Sequence, residues 1–125
     1  MVNLTKSIED YLEAIYLIAK GKKVVRVKQI AEFLNISLPS VSEAVQKLKR
    51  SGFVKSEKYG YINLTKEGTI FAKSIYVKHK VLLSFLSNIL KVDKKTAIKE
   101  ACAIEHCLSK ETAQKLKKFV KTNLK

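Results

Sequence analysis

The fold is decided by residues 27–50, whose sequence is VKQIAEFLNISLPSVSEAVQKLKR. Apolar residues recur at helical spacing on both sides of a short polar break, Asn35-Ile36-Ser37. A proline at position 39 suits the first turn of a helix. The stretch therefore predicts a short helix over Val27–Leu34, a tight turn, and a second helix over Pro39–Arg50. The positions expected to face inward are Val27, Ile30, Ala31, Ile36, Val41, Val45 and Leu48.

The flanking segments extend this corner into a larger unit. On the N-terminal side, Ile8–Ala19 has the apolar periodicity of a helix. On the C-terminal side, Gly52 ends the helix over Pro39–Arg50. Two strand-like runs, Phe53–Glu57 and Tyr61–Thr65, surround Lys58-Tyr59-Gly60 and predict a β-hairpin. Helix, short helix, turn, helix and hairpin is the order of a winged helix-turn-helix, which places its third helix in the major groove of DNA.

The remainder of the chain predicts three more helices. They cover about Thr65–Leu90, a segment from an Asp93 cap to about Leu108, and a last segment that Ser109 caps. The apolar side expected for the last helix is Ala113, Leu116, Phe119, Val120 and Leu124. The predicted fold class is mainly α, with a winged helix-turn-helix domain over residues 1–73 and a second, helical domain over residues 74–125.

Composition narrows the function classes. Lys and Arg total 25 against 11 Asp and Glu, and the net charge of +14 favours a polyanionic partner such as double-stranded DNA. General lysine enrichment, typical of proteins from hot environments, is the alternative explanation. No apolar run has the length of a membrane span, and the N terminus opens no signal peptide. Cys102 and Cys107, five residues apart, fit no disulfide framework, so we expect a cytoplasmic protein without membrane contact.

The third helix and the hairpin carry the candidate DNA contacts. Hydroxyls at the start of the helix can bind phosphate, and Pro39 can contact a thymine methyl group. Glu43 can accept a hydrogen bond from a cytosine amine or, alternatively, form a capping box with Ser40. The basic end of the helix, which includes Lys49, favours phosphate contact, with a solvated surface as the alternative. The candidate DNA-binding residues are Arg26, Lys28, Ser37, Pro39, Ser40, Ser42, Glu43, Lys47, Arg50, Lys58 and Tyr59.

A set of metal-binding side chains is distributed over three predicted helices. Spacings of three and four residues place Cys102, Glu105 and His106 on one face of the fifth helix. Thiolate, carboxylate and imidazole can converge there on one cation. The candidate metal ligands are Asp10, Glu13, His79, Cys102, Glu105 and His106. Taken singly, each also has an ordinary explanation, as a surface acid or a core cysteine, and Cys107 is interpreted as a small apolar core residue.

Six stretches carry a more specific signal. They are Ser7–Tyr16, Ile30–Ser42, Val45–Leu48, Leu64–Gly68, Lys78–His79 and Glu100–Ser109. Together they resemble the diphtheria-toxin-repressor family, including its manganese-sensing branch, and in particular short members without the SH3-like C-terminal domain. The resemblance implies a cytoplasmic homodimer that binds palindromic operators when loaded with Fe(II) or Mn(II), one or two ions per subunit. By the same resemblance, the regulated genes are those of metal uptake.

The six candidate ligands resemble the family's regulatory metal ligands as a mixture of two branches. The iron-sensing branch has Cys at the position of Cys102 but Met at that of Asp10. The manganese-sensing branch has acids at Asp10 and Glu13 but a carboxylate in place of Cys102. Leu83 and Ile98 stand where the iron-sensing branch has a Glu and a His of an ancillary site, so we expect that site to be absent in this form.

The expected function is metal-dependent repression. A cation would tie the first helix to the fourth and fifth where the two domains meet, and would thereby set the distance between the winged helices of a dimer. A metal-independent winged-helix regulator is the first alternative, and a basic nucleoid protein is another. A zinc hydrolase with Glu105 as base is disfavoured, since the chain has few glycines and no loop of oxyanion donors. We therefore expect no enzymatic activity.

Overall fold

The computed structural model describes residues 6–21 and 24–123, without the side chains of Lys6, Ser7 and Lys58. The chain divides into two compact units, Met1–Lys73 and Ser74–Lys125. The helices are α1 (Lys6–Lys20), α2 (Val27–Leu34), α3 (Leu38–Arg50), α4 (Lys66–Ser84), α5 (Lys94–Ile104) and α6 (Lys110–Asn123), and the strands are β1 (Val54–Ser56) and β2 (Ile62–Leu64). The predicted fold class, helical with one hairpin, is confirmed. Within the described ranges, none of the helices combines the length and the apolar character that crossing a membrane requires.

The first unit is built around the apolar stripes of α1, α2 and α3. Leu12, Ile15 and Ile30 are fully buried because helical spacing brings them to the inner faces of α1 and α2. The other buried members of this core are Ile8, Tyr11, Ile18, Val25, Ala31, Val41, Ala44, Val45, Leu48, Phe53, Val54, Ile62 and Ala72. Most of the positions expected to face inward are therefore buried.

Ile36 is an exception, because 38% of its surface is exposed. Its N–H donates to the carbonyl of Ala31, and the preceding Asn35 has a left-handed backbone with φ of 55°. That conformation ends α2 and turns the chain away from the helix axis. The prediction that Ile36 faces the core was wrong.

Helix α3 begins one residue earlier than predicted and is capped by Ser37. The Ser37 Oγ accepts a hydrogen bond from the N–H of Ser40 at 3.4 Å and donates to the Ser40 Oγ at 2.9 Å. The capping box considered for Ser40 and Glu43 is therefore not formed, because Ser40 lies inside the first turn. Glu43 instead lies 3.9 Å from the Lys47 Nζ, one turn further along the helix.

The predicted hairpin is present. Strands β1 and β2 are antiparallel, with Val54 opposite Leu64 and Ser56 opposite Ile62. A single turn of 3₁₀ helix, Lys58–Gly60, connects them, and both Tyr59 (φ 66°) and Gly60 (φ 76°) are in the left-handed region. The N–H of Ile62 also donates to the carbonyl of Val25, so the hairpin is held to the segment before α2.

The base of the hairpin is joined closely to the first turn of α4. The Thr65 N–H donates to the Phe53 carbonyl, and the Thr65 hydroxyl donates to the Gly52 carbonyl while accepting from the Gly68 N–H. A Cβ atom at position 68 would lie 1.9 Å from the Phe53 carbonyl oxygen. Glycine, which weakens the helix on propensity alone, is required here by the close approach of two backbones.

The second unit packs α5 and α6 against the end of α4. After Ser84 the helix continues through a π-turn, Phe85–Ile89, which includes the buried Leu86. The small residues Ala97 and Ala101 let α5 approach this core closely, since neither has exposed surface. The apolar residues packed here are Leu82, Leu86, Ala97 and Ala101, with Leu83, Phe85, Val92, Leu108 and Leu116 around them.

Two predicted caps are confirmed in this unit. The Asp93 carboxylate accepts from the Thr96 N–H, and the Ser109 Oγ accepts from the Thr112 N–H. Helix α5 ends at Ile104, about one turn before the predicted end. Leu124, expected on the apolar side of α6, lies outside the described residues.

Candidate metal centre and DNA-binding surface

A carboxylate, an imidazole and a thiol meet in the second unit. The Oε1 atom of Glu105 lies 3.3 Å from the Nδ1 atom of His79, and the Sγ atom of Cys102 lies 3.8 Å from the same nitrogen. One ligand atom from each side chain lies within 4.8 Å of the other two. Donors held about 2.0–2.3 Å from one ion are separated by roughly 3–4 Å, so these three can share a cation with small adjustments.

Local structure explains why these side chains meet. His79 lies on α4, Cys102 lies in the last turn of α5, and Glu105 directly follows that helix as its C-cap. The N–H of Glu105 still donates to the carbonyl of Ala101, so the spacing of three between Cys102 and Glu105 keeps both on one face. The close packing of α5 against the core then fixes their distance from α4.

Burial makes Glu105 the most informative member of the group. Only 1% of its surface is exposed, and among the described residues it is the one buried charged side chain. Neither carboxylate oxygen has a hydrogen-bond partner, since the contact with His79 lacks hydrogen-bond geometry. A buried carboxylate without hydrogen bonds is strongly unfavourable. A cation bound between Glu105, His79 and Cys102 would satisfy it, so the residues present fit a metal ion.

The structure brings together three of the six candidate metal ligands. His106 lies outside the group of three, in the turn that follows α5. Asp10 and Glu13, three residues apart on α1, belong to the first unit, where both are half-buried.

Neither cysteine is part of a disulfide, and both are exposed. For Cys107 this contradicts the expectation of a core residue. The physical reason is again the end of α5, since Cys107 lies in the turn after the helix rather than on its buried face. Cys102 is exposed as well, which leaves its sulfur accessible beside the buried carboxylate of Glu105.

The candidate DNA-binding residues belong to the first unit, and those whose side chains are described are exposed. Tyr59, at the tip of the hairpin, is 82% exposed, and Arg26 lies over the ring of Tyr61 with 4.6 Å between its guanidinium carbon and the ring centroid. The side chain of Lys58 lies outside the described residues. The other exposed candidates are Lys28, Ser37, Pro39, Ser40, Ser42, Glu43, Lys47 and Arg50.

Sequence reasoning missed Leu38 in this surface. Leu38 is the first residue of α3, and 52% of its surface is exposed. Its spacing from Val41 and Val45 matches the buried stripe, so periodicity alone would place it in the core. The structure instead leaves about half of the surface of Leu38 exposed.

Comparison with known proteins covers both units. Residues 3–62 match the family model of the iron-dependent repressor N-terminal DNA-binding domain, and residues 65–123 match that of the iron-dependent repressor metal-binding and dimerisation domain. The chain is 43% identical over 118 residues to an uncharacterized HTH-type transcriptional regulator of Methanocaldococcus jannaschii, with 94% of each chain covered. It is 38% identical over 105 residues to the HTH-type transcriptional regulator MntR of Bacillus subtilis, covering 84% of this chain and 73% of MntR.

Solved structures show the same likeness. The structure of the manganese regulator SloR superposes with a TM-score of 0.83 at 37% identity, covering 94% of this chain and 55% of SloR. The crystal structure of T. acidophilum IdeR gives a TM-score of 0.75 at 25% identity, covering 95% of this chain and 55% of IdeR. The chain thus spans about half the length of these two proteins.

Proposed function

The chain belongs to the iron-dependent repressor family, and on that basis we propose that it is a metal-activated repressor that binds palindromic operator DNA as a homodimer. It carries the family's DNA-binding domain and its metal-binding and dimerisation domain. We assign DNA binding to residues 1–73 and metal binding and dimerisation to residues 74–125, with α1 contributing ligands. The protein acts in the cytoplasm, without enzymatic activity, on genes of metal uptake.

The observation that carries the proposal is the enclosed carboxylate of Glu105 beside His79 and Cys102. These three side chains would hold the cation, and Asp10, Glu13 and His106 are proposed to supply the remaining ligands for one or two ions per subunit. When bound, a divalent cation supplies positive charge and several coordination positions that the carboxylates can share.

The carboxylates themselves provide the switch in this proposal. Asp10, Glu13 and Glu105 would bring three negative charges to one place, and their repulsion disfavours that arrangement in the metal-free protein. When a cation holds these carboxylates together, the distance between the two DNA-binding units of the homodimer is set so that both α3 helices enter successive major grooves. To shift the protein from mostly inactive to mostly active, the metal must bind the active arrangement more tightly than the inactive one by roughly 5.5 kcal/mol. A multidentate site can provide this, whereas a surface ion pair, at about 0–1 kcal/mol, cannot.

The donor set supports Fe(II) as the physiological ion. Carboxylate oxygens favour hard cations such as manganese and iron, while the thiolate of Cys102 shifts the preference towards iron, zinc or cobalt. Fe(II) satisfies both kinds of donor. We expect Mn(II) to activate the purified protein as well, since several of the proposed ligands are carboxylates.

The test is DNA binding by the full chain across a panel of divalent ions, with iron handled anaerobically. A pool of random duplexes is first enriched on the protein in Mn(II), and the selected duplex is then titrated with Fe(II), Mn(II), Co(II), Zn(II) and a chelator. The proposal requires binding that depends on the ion and is lost in the chelator. Equal affinity and equal salt dependence with and without metal would refute it.

A further inference from the structure

The first turn of α3 presents an apolar side chain on the helix that the proposed function assigns to DNA. Leu38 is 52% exposed, and Ile36 on the other side of Ser37 is exposed as well. Contact of either side chain with an apolar group of a partner would remove apolar surface from water and would be favourable. Both lie at the end of the helix that enters the major groove in winged helix-turn-helix proteins.

Part of the polar surface of this turn is used to cap the helix. The Ser37 hydroxyl donates to the Ser40 hydroxyl, and the Ser40 N–H donates to Ser37. The Val41 N–H donates to the Ser37 carbonyl, and Pro39 has no N–H. Beside this cap, the exposed side chain of Leu38 is an apolar group that can contact a base edge.

We propose that Leu38 contacts the 5-methyl group of a thymine in the operator and selects thymine at that position. This inference rests on the proposed function. Leu38 and Ser42 are four residues apart, on one stripe of α3 that faces outward, so an apolar and a polar contact can fall on neighbouring bases. In the major groove the thymine methyl is the one apolar group that distinguishes the four base pairs.

Charge argues for DNA as the occupant of this surface. Lys28 and the basic end of α3, which includes Lys47 and Arg50, are exposed on the same unit, and the chain as a whole carries +14. A protein partner that covered Leu38 would have to approach this basic surface, whereas phosphates on both sides of the major groove complement it.

The experiment replaces thymine by uracil, which removes only the methyl group, at each position of the enriched duplex in turn. For the wild-type protein in Mn(II), we expect a three- to fivefold loss of affinity at one thymine of each half-site, the size expected for one buried methyl group. Leu38→Ala should bind the thymine and uracil duplexes equally at that position. Leu90→Ala is the matched control, because Leu90 is 54% exposed but lies in the second unit, and it should keep the discrimination.

Two outcomes would overturn the inference while the proposed function stands. One is a duplex that binds in a metal-dependent manner but for which uracil substitution lowers the affinity of the wild-type protein and of Leu38→Ala equally at every position. The other is a Leu38→Ala protein that sediments as a smaller species, since Leu38 would then be part of a protein interface. If no duplex shows metal-dependent binding at all, the proposed function fails and the inference fails with it.

Discussion

The Oε1 atom of Glu105 lies 3.3 Å from the Nδ1 atom of His79 in a position closed off from water. Because neither Glu105 oxygen has a hydrogen bond, Glu105→Gln should change two properties in opposite directions. Removing the buried charge should raise the free energy of unfolding in chelator by on the order of 1 kcal/mol. The same change should abolish activation of DNA binding by metal.

Urea unfolding in chelator and titration of the enriched duplex measure these two effects. Glu100→Gln is the control, since Glu100 is an exposed acid on α5, the helix that Glu105 follows, and should alter stability by less than about 0.5 kcal/mol. A Glu105→Gln protein that is no more stable without metal, and is still activated by it, would contradict the role given to this carboxylate.

We expect Cys102 to determine which divalent ion the protein prefers. Cys102→Asp exchanges the thiolate for a carboxylate and should shift the affinity ratio towards Mn(II) over Co(II), on the order of tenfold. Competition titration of the two ions measures this affinity ratio. The thiolate-to-cobalt absorption that we expect for the wild-type protein should be absent from Cys102→Asp. Cys107→Ser should leave both unchanged, because Cys107 is outside the group of three. Equal shifts in the two variants would argue against a specific role for Cys102.

The Asp10→Asn variant should separate metal binding from the activation of DNA binding. In Asp10→Asn, Co(II) should still show thiolate absorption, because His79, Cys102 and Glu105 are intact within the second unit. Affinity for the enriched duplex in saturating Mn(II) should fall by at least about tenfold, which corresponds to roughly 1.4 kcal/mol. Glu9→Gln, one residue earlier on α1, is the control. Full activation of Asp10→Asn would remove α1 from the proposed mechanism.

Gly68 is required by packing rather than by backbone conformation. Gly68→Ala should lower the free energy of unfolding by about 1–3 kcal/mol, because its Cβ would lie 1.9 Å from the Phe53 carbonyl oxygen. In an uncrowded helix the same substitution would be stabilising. Gly21→Ala, whose Cβ would make only an ordinary contact with the Ile18 carbonyl, should change stability little. Denaturant unfolding measures both variants. If Gly68→Ala lowered the free energy of unfolding as little as Gly21→Ala, the base of the hairpin would be able to shift.

Much of the architecture was predictable because its signals are local. The apolar spacing of Val41, Val45 and Leu48 and the turn residues of the hairpin act over a few positions, and the structure confirms both elements. At the candidate metal centre, the spacing of three between Cys102 and Glu105 indicated a shared face, which is also observed.

The remainder depended on where helices end and on what covers them. Ile36 and Leu38 have the spacing of core residues, but their exposure is decided by neighbouring elements rather than by period. Cys107 is exposed rather than buried because α5 ends at Ile104, and the capping box considered as one alternative for Glu43 is not formed because Ser37 caps α3. None of these features can be read from hydrophobic pattern alone.

The enclosed Glu105 carboxylate also has a consequence for the lifetime of the protein. A ligand that binds only the native state raises its stability by an amount that grows with the free ligand concentration. Subunits that hold no ion should therefore open more often and be degraded faster by cellular proteases. Cells starved of metal would lose the protein itself, and derepression would then persist until new chains are synthesised.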